Sequence, residues 1–165
     1  MSVDPQASAA RRNAITADIV ERTGIDERLI AQLVRSFYES ARRDPLIGPI
    51  FDRHVADWDA HLARMCDFWS SVALMSGRYH GQPMAAHLPL PIEAAHFGRW
   101  LELFSATARQ ACPPSAAAHF FARAERIAES LQLGIRAQRR AEPDCARRSA
   151  SPAQTCTRGV RGGAA

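Results

Sequence analysis

The sequence predicts an all-α protein. Two observations carry that prediction. Apolar residues recur at helical spacing in four separate segments, and no segment alternates as a half-buried strand would. At 165 residues, with 47% hydrophobic and 23% charged residues, the chain is long enough for one domain with its own core.

The first 24 residues are weakly helical and read as a flexible leader. From Ile25 the pattern sharpens. In "IDERLIAQLVRSFYESARRDP", Ile30, Leu33, Val34, Phe37, Tyr38 and Ala41 share one helix face, Asp26 is placed to cap the start and Pro45 ends the run. "LIGPIF" then makes a tight corner. A second helix spans about Asp57 to Met75, with Trp58, His61, Met65, Phe68 and Val72 on its stripe and Leu62 and Trp69 widening it. A third begins near Pro91, a residue suited to a first helical turn, and carries Phe97, Trp100, Leu101, Phe104 and Ala108. A fourth begins near Pro114 and carries Phe120, Ala124, Ile127, Leu131 and Ile135. Residues 139–165, rich in Arg, Ala, Ser, Pro and Gly, are expected to be disordered. The domain plan is therefore a leader (1–24), a helical body (25–138) and a tail (139–165).

Charge says little about partners. From Arg136 onward seven arginines face only Glu142 and Asp144, so the net +4 comes from the tail and residues 1–135 carry −1. The tail has no aromatic residue to stack on bases, and specific nucleic-acid binding is not expected. No secretory signal and no membrane-length apolar run is visible, so a cytoplasmic location is expected. Cys66, Cys112, Cys145 and Cys156 fall at no metal-binding spacing and read as free thiols.

The motifs of common hydrolases, nucleotide enzymes and dinucleotide-binding proteins are absent. What remains is polar residues within apolar stripes. Tyr38 and His61 lie on inward faces, where each needs a partner or loses about 1–3 kcal/mol. The stretch "GRYHGQPMAAHLPLP" breaks the helical pattern and presents His87 from irregular backbone. His54, His80, His96 and His119 sit at helix ends, in loops or at stripe edges, and read as surface residues. Around Tyr38, His61 and His87 the stripes supply Phe51, Met65, Phe68, Phe97, Trp100 and Phe104. The set suits an aromatic-lined pocket with one potential metal ligand.

Five collinear blocks resemble the truncated haemoglobins, a branch of the globin superfamily, and specifically their third group. These are "LVRSFYESARRDPLIGPIF", "DWDAHLARMCDFWSSV", "GRYHGQPMAAHLPLP", "HFGRWLELF" and "RAERIAESLQLG". The glycine pairs of the other two groups are missing from the body; the single Gly-Gly is Gly162–Gly163. The resemblance implies a two-over-two helical sandwich around haem b (iron protoporphyrin IX), with His87 as proximal iron ligand. It implies Tyr38, His61 and Trp100 on the ligand side, His61 also serving as a gate or as a second iron ligand, although the family pattern favours a five-coordinate or water-bound iron. Phe51, Met65, Phe68, Met84, Leu88, Phe97 and Phe104 would pack on the haem, and Arg78 and Tyr79 would meet its propionates. His80 matches no ligand position.

The implied function is binding of O₂, NO, CO or another small diatomic ligand. A donor-rich pocket points to redox chemistry, detoxification or sensing above bulk oxygen transport. Turnover as a nitric oxide dioxygenase or in a peroxidase-like reaction would need a separate reductase, since the chain has no flavin or nicotinamide motif. A monomer is expected. The competing expectation is a haem-free helical interaction module using the basic tail; a metal-binding bundle lacks a second and third protein ligand.

Overall fold

The computed structural model describes residues 5–141, and among these there are seven helices and no strand. They are α1 (Pro5–Thr23), α2 (Glu27–Arg43), α3 (Gly48–His54), α4 (Trp58–Leu74), α5 (Pro83–His87), α6 (Ala94–Ala111) and α7 (Pro114–Ala141). Helix α2 packs on α4 and α6, and α6 packs on α7, which gives the two-over-two sandwich.

Helix α2 follows its sequence signals closely. Asp26 accepts the Leu29 N–H at 2.7 Å, and the stripe from Ile30 to Ala41 is buried. Asp44 then leaves the helix in extended backbone ahead of Pro45. Its buried carboxylate accepts the amides of Leu46 and Ile47 and an Arg99 bond of 2.7 Å, which ties the corner to α6. The corner itself becomes α3. Gly48 starts it so close to α2 that a Cβ would lie 2.7 Å from the Arg42 carbonyl oxygen.

Helix α4 is capped at its start by Asp57, which accepts the Ala60 N–H at 3.0 Å. Its other end is held by its neighbours. The Val72 carbonyl accepts from Arg123 Nε at 2.9 Å, the Ala73 carbonyl from His119 Nε2 at 3.0 Å, and the Leu74 carbonyl from the Thr16 hydroxyl. These side chains supply the acceptors' missing partners where the helix stops at Met75 (φ 58°).

The weakly helical leader forms helix α1 between Pro5 and Thr23. It is one continuous helix that packs on α4 and α7, buries Ile19 and stops at Gly24 (φ 70°). Its stripe is thin, because one buried isoleucine and one threonine suffice to dock it. Arg139 and Arg140, placed in the tail by the sequence, are the last turn of α7. The remainder of the expected disordered tail, with Cys145 and Cys156, lies outside the described residues. Cys66 and Cys112 are free thiols. Among the described residues no helix is long and apolar enough to cross a membrane.

The core centres on rings. Phe37, Phe104 and Phe120 are fully buried, and Phe104 is stacked between Trp69 (4.7 Å) and Trp100 (5.2 Å). A smaller cluster of Ile92, Phe97, Ala128, Leu131 and Ile135 lies beneath the irregular connection.

Candidate functional site

A cavity of about 330 Å³ opens between α2, α4, α6, α7 and the irregular segment. Tyr38 reaches it from α2, Phe51 from α3, and His61, Met65 and Phe68 from successive turns of α4. Facing them are Tyr79 and His87 from the connection and Phe97 and Trp100 from α6.

The opposing walls differ in chemistry. His87 ends the five-residue α5, where Pro83 supplies the first turn without a side-chain cap. Its Nδ1 lies 2.7 Å from the Pro83 carbonyl oxygen. A carbonyl can only accept, so Nδ1 carries the proton and Nε2 keeps its lone pair. On the other wall Tyr38 is buried, and burial pushes its phenol far above the ordinary value, so it stays a protonated donor. The His61 ring stands edge-on to Tyr38 at 4.9 Å, and its buried Nε2 has no hydrogen-bond partner. Burial first, then the nearby Arg64 charge, lowers its pKa and favours the neutral ring. Trp58 backs this corner against Tyr38 and Phe51, with the Arg42 guanidinium 4.2 Å from its ring centroid.

Four residues expected around this site do not line the cavity. Phe104 is one layer behind it, stacked on Trp100. Met84 and Leu88 pack against the smaller cluster, whose Phe97 and Leu131 do line the cavity. Arg78 is exposed and pairs with Glu27 (3.0 Å) and Asp67 (3.8 Å). Glu27 also accepts the Ser70 hydroxyl at 2.6 Å, so Arg78 fastens the start of the connection to α2 and α4.

Conversely, the sequence reading left out His54, Arg64 and His96, which do line the cavity, together with Ile127 and Leu131 of α7. Arg64 stands three residues after His61, a spacing that shares a helix face. His96 Nδ1 accepts the Glu93 N–H at 3.0 Å, which fixes its proton on Nε2 and makes it a donor. Among the described residues no group of three or more His, Cys, Asp or Glu side chains converges to hold a metal.

Packed helical pairs around a cavity lined by both an imidazole and a phenol are the arrangement of a globin. No family model matches the chain. It is 39% identical over 85 residues to the group 3 truncated haemoglobin ctb of Campylobacter jejuni, a match covering 48% of this chain and 67% of that protein. The group 2 truncated haemoglobin YjbI of Bacillus subtilis matches at 33% identity over 79 residues, 47% of this chain and 60% of that one. The crystal structure of the group III truncated haemoglobin from Campylobacter jejuni superposes with a TM-score of 0.64 at 34% identity, over 67% of this chain and 91% of that one. The chain belongs to the truncated haemoglobins, in their third group.

Proposed function

We propose that this cavity holds haem b and that the protein binds small diatomic ligands such as O₂, NO or CO there, with His87 as the protein's iron ligand. The observation that carries the reading is the Nδ1–Pro83 hydrogen bond, which leaves the His87 Nε2 lone pair as the ring's free donor to a metal. The lining also fits. One imidazole cannot complete a metal site by itself, and the surrounding walls are apolar enough to take a flat macrocycle that brings the other ligands.

Haem, held through His87, would supply an iron able to bind a small exogenous ligand. The chain's own residues do the rest. Tyr38 offers a hydroxyl proton, Trp100 an indole N–H and His61 an unpartnered ring nitrogen, all lining the same cavity as His87. Donors held in a water-poor pocket stabilise negative charge gathered on a ligand and slow its release. That favours ligand trapping or redox chemistry, fed by a separate reductase, over bulk delivery. Phe51, Met65, Phe68 and Phe97 exclude water. Arg64, His54 and His96 are basic groups on the cavity wall that suit carboxylates of the macrocycle.

The test is the visible spectrum of wild type and His87→Ala, oxidised, reduced and with CO. The expected wild-type result is a Soret band that moves on reduction and again with CO. In His87→Ala that band should be weakened or shifted, and added imidazole should restore it. A colourless, folded wild type that takes up no haemin would overturn the reading and leave the helical interaction module in its place.

A further inference from the structure

Helix α5 has only five residues, none of them buried, and no side-chain cap. Such a turn cannot hold its own orientation, because a single helical turn fixes several dihedrals for one hydrogen bond. It is held from outside, and among the described residues α7 is the only helix it packs against. The seat is specific. Met84, three residues before His87, lies over Gly134 so closely that a methyl built on the glycine would overlap the end of its side chain, with Sδ 2.5 Å away. Met84 and Leu88 both pack into the cluster containing Leu131 and Ile135, which flank Gly134 on α7. One turn further along α7, Arg139 Nη2 binds the carbonyls of Ile92 (3.0 Å) and Leu90 (3.4 Å), clamping the chain that leaves α5.

We propose that Gly134 and Met84 are positioning residues for His87. The notch in α7 sets where the imidazole stands on the cavity wall. The proposal rests on the haem reading above and extends it to two residues that do not line the cavity. It also gives Met84 a task in place of the haem contact expected of it.

The experiment compares Gly134→Ala in the wild-type and Met84→Ala backgrounds, using haem-loaded protein. Alanine is a better helix former than glycine, so a role confined to α7 predicts a higher Tm and an unchanged iron–imidazole bond. The notch predicts a shifted iron–imidazole stretching frequency in the reduced protein. It also predicts faster haemin loss to an acceptor protein, by at most about tenfold because the methyl meets the flexible end of Met84. With Met84→Ala already present nothing is left to displace, and adding Gly134→Ala should change neither readout. Equal shifts in both backgrounds, or none in either, would overturn the proposal while leaving the haem reading intact. A wild type that holds no haem would overturn both.

Discussion

Phe104 offers the sharpest test of how the distal wall is built. It is 1% exposed, its ring lies between Trp69 (interplanar angle 17°) and Trp100 (12°), and it meets Phe37 edge-on at 5.5 Å. Burying a phenylalanine covers at least about 150 Å². At about 25 cal/mol per Å² that amounts to about 4 kcal/mol for the side chain. The β-carbon kept by alanine and the compactness of the unfolded chain lower the figure. The lost ring pairs and the cavity left behind raise it again, so Phe104→Ala should cost about 4 kcal/mol, inside the ~3–5 kcal/mol range for such truncations. For a chain of this size the melting temperature should fall by about 10–15 °C. The assay is urea unfolding followed by tryptophan fluorescence and circular dichroism, with the denaturant slope unchanged. Trp100 would lose its stacking partner as well, so CO release from the haem-loaded variant should change in parallel. A loss below about 1 kcal/mol would refute the claim that this ring carries the layer behind the cavity.

Gly48→Ala should destabilise the fold by about 1–3 kcal/mol, because the new methyl would meet the backbone carbonyls of Arg42 and Ala41, which cannot swing aside. An unchanged urea midpoint would show that the α2–α3 corner opens at little cost. His119 supplies a pH test. Burial, as the main cause, holds its imidazole below the ordinary value of 6.5, so the unfolded chain takes the proton first. Its contribution to stability is complete above that value and is lost as pH falls from there toward the folded pKa. His119→Gln keeps an N–H for the Ala73 carbonyl but does not titrate. The wild type should therefore lose more stability than the variant between pH 7.5 and 5.5, and equal losses would refute the assignment. His61 shifts in the same direction but is present in both proteins and cancels.

Much of the sandwich was legible because its signals are local. The stripe of α2, its Asp26 cap and the Pro45 stop are all contained within twenty residues, and the structure follows them. The meeting of Tyr38, His61, Trp100 and His87 at one cavity was legible by another route, the order of five motifs that resemble a known family. What stayed hidden depends on which side of a helix meets which neighbour. Phe104 shares the stripe of Trp100, yet a stripe does not say which ring reaches the cavity and which lies behind it. His96 looked like a surface residue because its capping bond to Glu93 cannot be read from composition. The pairs of Arg78 with Glu27 and Asp67 join side chains of α2 and α4 to the connection, which no local pattern announces. The docking of α1 was not legible because it has no broad apolar face, the hydroxyl of Thr16 helping to hold it on α4.

The two ends of α4 are anchored very unequally. Near Leu74, three successive carbonyls are tethered by side chains from α1 and α7, so loosening that end means disturbing two other helices. At Trp58 one aspartate caps the first turn, and the indole packs on Tyr38 and Phe51 with the Arg42 guanidinium over it. Fraying at the Asp57 end breaks that cap and these side-chain contacts, and His61 lies one turn in from it. The helix is thus tethered by backbone acceptors on its C-terminal side and by side-chain packing on the other, with His61 near the end that has no tethered carbonyl.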